Sequence, residues 1–286
     1  MSFARAIDGT RIHYRRFNPG AGARRSPALV AVAPLGMTAR VWEIAVPRVL
    51  ERGYTVIAID NRGSGRSDSP RRPWTMRAMA DDVVAVLDEE RIERAHVCGP
   101  SLGGMVVQEV ALRHPSRVGA LVLAATTGGW PRLDLMPVRI IPRLLRELVL
   151  PVAGDRPEEE RVRRFLRVSV SARLAAALTR EDPLWHFVAR LLDEPTPSGG
   201  RLRQIMAGAR HSTWSRLGDI RAPTLVFHGT DDPLIPAGAG RELARRIPGA
   251  RFEPIEGAGH VLILERTEEV TELVMEFIAR HDGLVV

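Results

Sequence analysis

The stretch Val97-Cys98-Gly99-Pro100-Ser101-Leu102-Gly103-Gly104 decides how this chain folds. The apolar residues 95–98 are typical of a buried parallel strand, and residues 105–113 are apolar at helical spacing. Between these segments, the pattern Gly-x-Ser-x-Gly predicts a sharp strand-to-helix turn in which a Cβ at either glycine would strike a neighbouring element. Such a turn lifts the Ser101 hydroxyl clear of the sheet, and the helix beginning at Leu102 directs free backbone N–H groups toward it. Ser101 is therefore a candidate nucleophile.

Strand-like and helix-like segments alternate on both sides of this turn. Residues 2–7 and 11–17, joined by Asp8-Gly9-Thr10, predict an antiparallel hairpin. Further strands are predicted at residues 29–33, 55–59, 120–125, 223–228 and 250–255. Pro254, in the last of these runs, favours a sheet edge because proline donates no hydrogen bond. The alternation predicts an α/β fold, with a mostly parallel sheet of about eight strands and helices on both faces.

The alternation stops between residues 128 and 216. This segment has no strand-like run, and its amphipathic helical stretches at 138–150, 159–178 and 185–192 are punctuated by prolines. The pattern predicts a helical cap inserted into the α/β core. The predicted organisation is a first half of the core at 1–127, the cap at 128–216 and a second half of the core at 217–286.

The composition fits one large globular domain. The 286 residues are 45% hydrophobic, which is enough for a sizeable core, and no stretch reaches eighteen apolar residues. The first residues lack the charged and then apolar build of a signal peptide, so we expect a cytoplasmic protein with no membrane contact. The single cysteine, Cys98, fits a small core residue.

Positive charge is concentrated in the predicted cap. All 41 basic residues are arginine, and the formal net charge is +7 at pH 7. Residues 128–216 hold 16 arginines against 10 acidic residues, so this segment carries +6 of that charge. No nucleic-acid-binding motif accompanies the arginines, and we expect no nucleic-acid partner. The charge favours an acidic small-molecule substrate.

Two further stretches supply what a serine nucleophile needs, a general base and an acid that orients it. Gly229-Thr230-Asp231-Asp232-Pro233 follows a predicted strand, and we favour Asp232 over Asp231 as the acid. Glu256-Gly257-Ala258-Gly259-His260 follows the last predicted strand and brings a histidine to the same edge of the sheet. The chain order Ser, Asp, His accompanies the Gly-x-Ser-x-Gly turn in this architecture.

These motifs carry a family resemblance that covers both halves of the core. They are Leu35-Gly36 before Trp42, Asp60-x-Arg62-Gly63-x-Gly65-x-Ser67, Gly99-x-Ser101-x-Gly103-Gly104-Met105 with Gln108, His114-Pro115-x-Arg117-Val118, Gly229-x-x-Asp232, and Gly259-His260 with Glu265. In combination they resemble the α/β-hydrolase family. The first-half motifs are similar to those of 3-oxoadipate enol-lactonases and aclacinomycin methylesterase-like hydrolases. The resemblance implies a carboxylic ester or lactone substrate, Asp232 as acid, His260 as base, and an oxyanion hole made by the N–H groups of Leu35 and Leu102.

Two positions depart from the family pattern. Most relatives have His-Gly where this chain has Ala33-Pro34, and proline has no N–H to donate. Because the family's donor is the following residue, Leu35 can still serve together with Leu102. Pro100 is also uncommon beside the nucleophile, but it leaves Ser101 and Leu102 intact.

Other polar and aromatic residues have lesser expected roles. Trp130, Trp185 and His211 are candidate substrate contacts in or near the cap, although the tryptophans also fit a hydrophobic core. We expect His228 to pack beside the acid turn, Asp60 and Arg62 to brace a loop, and His13 to lie on the surface; His96, His114 and His281 are expected to be structural. No histidine and carboxylate cluster has metal-ligand spacing and no phosphate-binding glycine loop opens a helix, so we expect no metal and no cofactor.

The sequence therefore predicts a cofactor-free serine hydrolase that cleaves a carboxylic ester or lactone through an acyl-enzyme. Two alternatives remain open. Ala33-Pro34 motivates a C–C bond hydrolase, or a non-hydrolytic lyase or cyclase acting on a specialised metabolite with the same triad. The second alternative is a non-catalytic small-molecule receptor or regulatory partner. Substrate identity and oligomeric state are not specified by these patterns.

Overall fold

One eight-stranded sheet runs through the computed structural model, which describes residues 2–20, 26–129, 157–197 and 199–285. The strands are β1 (Ser2–Arg5), β2 (Arg11–Phe17), β3 (Ala28–Val32), β4 (Thr55–Ile59), β5 (Ala95–Pro100), β6 (Val118–Ala124), β7 (Thr224–Gly229) and β8 (Arg251–Ile255). Their order across the sheet is β1-β2-β4-β3-β5-β6-β7-β8.

The sheet is parallel except at its first edge, where β1 and β2 form an antiparallel hairpin and β2 runs antiparallel to β4. Every residue of β3, β4 and β6 is buried, because the apolar runs in these strands are covered on both faces. β8 lies at the other edge, where the missing N–H of Pro254 is tolerated. The predicted fold class is confirmed.

Helices cover both faces of the sheet. They are α1 (Val46–Glu51), α2 (Met76–Glu89), α3 (Leu102–Arg113), α4 (Glu158–Ser169), α5 (Ala172–Ala177), α6 (Pro183–Leu192), α7 (Gly200–Ala209), α8 (Ala237–Arg246), α9 (Leu262–Glu265) and α10 (Thr267–Ala279). The apolar faces of α1 and α10 pack on one side of the sheet, and those of α2, α3 and α8 pack on the other. Helices α4 to α7 follow β6 and precede β7, and we refer to residues 157–209 as the helical insertion.

The insertion differs from its predicted form in two ways. The single helix predicted at 159–178 is two helices, because the Ser171 hydroxyl accepts from Leu174 N–H and caps a new helix after the break at Val170. Helix α7 was not predicted, since glycines at its start and near its end weaken the helical pattern. The helix predicted at 138–150 lies outside the described residues.

His13 is a correction to the sequence interpretation. It was expected on the surface, but its side chain is buried, with its Nδ1 2.7 Å from Asp60 Oδ2. The Asp60 carboxylate also accepts hydrogen bonds from the N–H groups of Ala39 and Arg66. This cluster holds together the loops that follow β3 and β4.

No helix within the described ranges is long and apolar enough to cross a membrane.

Candidate active site

Ser101 occupies the sharp turn between β5 and α3. Its backbone has φ 51° and ψ −120°, a combination that a non-glycine residue adopts only where the surrounding structure imposes it. The Ser101 N–H donates to Ala124 O (3.0 Å), and Thr126 Oγ1 donates to Ser101 O (2.6 Å). These bonds to the end of β6 and the residues after it hold the strained conformation in place.

The glycines of this turn are needed because backbone lies where their side chains would be. A Cβ on Gly99 would lie 2.4 Å from Gly103 C, and a Cβ on Gly103 would lie 2.5 Å from Val32 O. Both contacts are shorter than any that real Cβ atoms make with backbone. The close approach of α3 to β3 and β5 therefore depends on these two residues.

The loop after β3 forms a tight turn beside Ser101. Met37 N–H donates to Pro34 O (3.3 Å), and Gly36 at the third position of the turn has φ +64°, as a type II turn requires. Asn61 Nδ2 donates to Ala33 O (2.7 Å) and braces the start of the loop. The turn thus forms with Ala33-Pro34 in place, and among the described residues no acceptor takes the N–H of Leu35. Leu102, the first residue of α3, has the free N–H of any helix start.

Asp232 and His260 meet at the carboxyl ends of β7 and β8. The Nδ1 of His260 lies 2.7 Å from Asp232 Oδ2, and the Asp232 carboxylate is fully buried. Its other oxygen, Oδ1, accepts from the N–H groups of Leu234 (2.7 Å) and Ile235 (2.9 Å). Asp231, the competing candidate, is exposed. The structure therefore places the carboxylate of Asp232 against His260.

Burial alone would raise the pKa of the Asp232 carboxyl group, but the adjacent His260 and His228 outweigh it through charge and hydrogen bonding. The pKa of Asp232 is held well below its usual range. The carboxylate is consequently ionised at neutral pH and accepts from His260 Nδ1, which leaves His260 Nε2 as the ring atom that can take a proton.

His228 is a second histidine on the same carboxylate. Its Nε2 lies 3.0 Å from Asp232 Oδ2 and 2.8 Å from Ile235 O. Both neighbours are acceptors, so Nε2 carries the proton and donates to them. The ring is completely buried, in agreement with its expected place beside the acid turn.

The His260 loop is fastened to the helical insertion. The Glu265 carboxylate accepts from Gly259 N–H (2.8 Å) and Ser171 N–H (2.9 Å), and it also bonds the Ser171 hydroxyl. Val261 N–H donates to Ser169 O at 2.6 Å. The end of α4 and the start of α5 thereby hold the segment that carries His260.

Ser101 and His260 line one apolar cavity. No hydrogen bond joins Ser101 Oγ to His260, and such contacts are often long before substrate binds. The cavity continues from these residues between the sheet and the helices α1 and α10, past the small side chains of Ala31, Cys98 and Ala124. Its volume is about 60 Å³. Burial raises the pKa of the Cys98 thiol to about 12, so this wall residue is an uncharged core side chain and not a nucleophile.

The predicted substrate contacts fall in different places. Trp130 lies outside the described residues. Trp185 is completely buried, its ring packs under Arg163, and its Nε1 donates to Glu158 Oε1 (3.3 Å). No surface of Trp185 is left for a substrate, so the structure corrects that expectation in favour of its core alternative. His211 is buried, with its Nδ1 3.6 Å from Glu109 Oε1.

Gln204 on α7 is a site residue that the sequence interpretation missed. Its Oε1 accepts from Gly36 N–H (2.8 Å), and its Nε2 donates to Arg62 O (2.9 Å) and Ser64 Oγ (2.9 Å). The side chain thus ties the insertion to the turn that carries Leu35. No local motif marks a contact between residues 168 positions apart, so the sequence carries no signal for it.

Arg62 and Asp60 brace loops, in line with the sequence interpretation. Arg62 forms two hydrogen bonds with the buried Asp82 (2.7 and 2.6 Å) and a third with Asp8 (3.1 Å). His96 and His114 lie beside Asp282 and Asp81, respectively, and neither lines the cavity that Ser101 and His260 share.

Comparison with known proteins agrees with this architecture. A family model described as the alpha/beta hydrolase fold matches residues 27–267, well over half of the chain. This chain therefore belongs to the α/β-hydrolase family, as its motifs predict.

Individual relatives span nearly the whole chain. A 2-hydroxy-6-oxononadienedioate/2-hydroxy-6-oxononatrienedioate hydrolase of Cupriavidus pinatubonensis is 31% identical over 94% of this chain and 90% of its own length. A poly(3-hydroxyalkanoate) depolymerase of Ectopseudomonas oleovorans is 33% identical over 81% of this chain and 77% of its own. The crystal structure of the enol-lactonase from Burkholderia xenovorans has a TM-score of 0.80 and 26% identity, and the match covers 97% of this chain and 100% of that one.

Proposed function

We propose that this protein is a serine hydrolase that cleaves a carboxylic ester or lactone with Ser101, His260 and Asp232. The observation that carries the proposal is the arrangement of these three residues at the carboxyl ends of the parallel strands. Ser101 stands on a strained turn, and it shares a cavity with a histidine whose other ring nitrogen is bonded to a buried, ionised aspartate. A surface serine in an ordinary turn requires none of these features.

The first half of the reaction forms an acyl-enzyme. His260 Nε2 takes the Ser101 hydroxyl proton while Oγ forms a bond to the carbonyl carbon of the substrate. The N–H groups of Leu35 and Leu102 donate to the resulting oxyanion. When the tetrahedral intermediate collapses, the bond to the alcohol oxygen breaks and His260 gives its proton to that oxygen.

The second half restores the enzyme. A water molecule loses a proton to His260 Nε2 and attacks the acyl carbon, and the bond to Ser101 Oγ then breaks as Oγ regains the proton. Asp232 stays ionised throughout because its pKa is held low, and it stabilises the protonated His260.

The apolar cavity favours an unbranched aliphatic portion on the substrate. Cys98 precedes Ser101 by three residues along β5, so the cavity wall at Cys98 is about 10 Å from the nucleophile. A cavity of about 60 Å³ lined by apolar side chains suits a narrow chain better than a bulky ring.

Hydrolysis of a C–C bond is the second candidate function. It is favoured by the 31% identity over 94% of this chain to the nonadienedioate/nonatrienedioate hydrolase, whose name gives diacids with an oxo group as its substrates. The same triad would then act beside a carbonyl whose leaving group is a carbon atom in place of an alcohol oxygen.

A substrate panel tests both candidates. It contains 4-nitrophenyl butyrate, an aliphatic lactone and a vinylogous 1,5-diketone acid, each assayed with wild type, Ser101→Ala and His260→Ala. We expect ester and lactone turnover in wild type and a fall in kcat of roughly 10⁴-fold or more in either variant. Turnover of the diketone alone would replace the proposal with the second candidate, and full ester activity in Ser101→Ala would overturn both.

A further inference from the structure

Arg201, near the start of α7, lies against the turn that carries Leu35. Its Nε is only 2.6 Å from the point that a Cβ on Gly36 would occupy. Gly36 directly follows Leu35, so the guanidinium lies against the residue next to the proposed oxyanion donor. Standard backbone dimensions limit the distance between Leu35 N and Arg201 Nε to about 9 Å.

The face of α7 that contains Arg201 covers both halves of the proposed oxyanion hole. Arg201, Gln204 and Gly208 share this face, because they are spaced at i, i+3 and i+7. Gln204 bonds Gly36 N–H, and a Cβ on Gly208 would lie 3.6 Å from Leu102 Cδ1. Arg201 is therefore placed over the region in which a substrate of Ser101 would lie.

Arg201 has no counter-charge within the part of the chain that the structure describes. Its side chain is mostly buried, yet none of the described residues forms a hydrogen bond or ion pair with it. Burial alone lowers the pKa of its guanidinium, which still remains protonated. A buried charge without a partner destabilises the fold, so an anion that binds there is strongly favoured.

Nearby arginines differ from Arg201 in this respect. Arg62 is paired with Asp82 and Asp8, and Arg40 is paired with Glu194. Arg203, two positions further along α7, contacts Ser69 Oγ and lies over the Trp74 ring. These side chains are committed to holding the fold, whereas Arg201 is available to a ligand.

We propose that Arg201 binds a carboxylate of the substrate, so that the enzyme selects esters or lactones that carry a carboxylate within about 10 Å of the scissile carbonyl. The proposal rests on the proposed hydrolase function and adds the charge of the substrate to it. The cavity beside Ser101 is apolar, so the charged group belongs on the part of the substrate that stays outside it.

A matched pair of esters tests the proposal. 4-Acetoxybenzoate carries a carboxylate, and methyl 4-acetoxybenzoate is its neutral counterpart. In Arg201→Gln we expect kcat/KM for the acid to fall by about 10- to 100-fold, the range for a charge-assisted bond, and the value for the methyl ester to change by less than about threefold. Arg203→Gln removes the same charge from the same turn of α7 and should leave the ratio of the two substrates unchanged.

Binding to an inactive variant separates this proposal from the proposed hydrolysis. By calorimetry, Ser101→Ala should bind 4-acetoxybenzoate at least about tenfold more tightly than its methyl ester, and the added change Arg201→Gln should abolish the difference. The comparison of the two ligands needs no Arg201 variant, so it holds even where that variant fails to fold. Equal affinities for acid and methyl ester, or equal losses for both substrates in Arg201→Gln, would overturn the role of Arg201. If wild type turns over neither ester but Ser101→Ala still prefers the acid to its methyl ester, the proposed hydrolysis is overturned and the role of Arg201 stands.

Discussion

The proposed nucleophile and its proposed base depend on a carboxylate that holds two histidines at once. Asp232 Oδ2 faces His260 Nδ1 at 2.7 Å and His228 Nε2 at 3.0 Å, while Oδ1 is taken by two backbone N–H groups. A carboxylate with four donors has little freedom to rotate. His228 therefore positions Asp232, and through it the imidazole of His260.

Removal of the His228 donor should weaken catalysis without unfolding the protein. His228→Phe fills similar space and cannot donate, so Asp232 loses one charge-assisted hydrogen bond and we expect kcat/KM for 4-nitrophenyl butyrate to fall about tenfold or more. His228→Gln keeps a donor and should recover part of the activity. Circular dichroism and melting temperature verify the fold, and unchanged activity in His228→Phe would show that His228 has no positioning role.

At this scale, local motifs predicted the residues that lie on turns of fixed geometry. Ser101, Asp232 and His260 each follow a strand, and the flanking glycines mark the turns. Gln204 and Arg201 carry no such mark, because their contacts join an insertion to a loop more than 160 positions away. His13 was misassigned since alternation along β2 cannot show that a loop with Asp60 covers its outer face.

At the scale of elements, the turn between β5 and α3 depends on glycines, because the neighbouring backbones leave no space for a side chain. We predict that Gly103→Ala lowers the free energy of unfolding by about 1–3 kcal/mol, because its Cβ would press on Val32 O. Gly218→Ala is the matched control: that glycine is exposed, has open space around it, and should change stability by less than about 0.5 kcal/mol. Urea titrations of both variants measure the difference, and equal effects would show that the turn tolerates a side chain.

The apolar cavity between the sheet and α1 should determine the length of the chain that the enzyme accepts. Cys98→Leu adds volume to the cavity wall about 10 Å from Ser101. We expect it to lower kcat/KM for 4-nitrophenyl octanoate about tenfold or more relative to 4-nitrophenyl acetate, because the longer chain loses its space. Cys98→Ala keeps the space open and should preserve the wild-type preference. If the ratio of kcat/KM for octanoate to that for acetate is unchanged in Cys98→Leu, the acyl chain of the substrate does not bind in this cavity.

Periodicity alone predicted the strands well and the insertion less well. A buried parallel strand is a continuous apolar run between turn residues, and such runs matched the observed strands of the core closely. Helix α7 has glycines at both ends and is held by Gln204, so its stability comes from tertiary contacts that composition cannot show.

For the whole molecule, buried His211 makes stability depend on pH. Burial lowers the pKa of its imidazole to about 4, whereas an unfolded histidine has a pKa of about 6.5. Between these values the unfolded chain binds a proton that the folded protein does not, so stability is complete above about pH 6.5 and falls as the pH drops toward 4. Below pH 4 this contribution levels off.

The variant His211→Gln tests this dependence. Since one pKa unit corresponds to about 1.4 kcal/mol, we expect wild type to lose roughly 2 kcal/mol more than the variant between pH 7 and pH 5. Urea unfolding at the two pH values supplies the four free energies. Parallel losses in the two proteins would show that His211 is protonated in the folded state as well.

The most direct test of the account is intact-mass analysis after treatment with a fluorophosphonate, which reacts with an activated serine to form a stable phosphonyl ester. We predict one adduct on wild type, none on Ser101→Ala, and much slower labelling of His260→Ala, because the probe needs both the activated hydroxyl and the oxyanion donors. Folded wild-type protein that remains unlabelled, or an adduct that persists in Ser101→Ala, would contradict the assignment of Ser101 as the nucleophile.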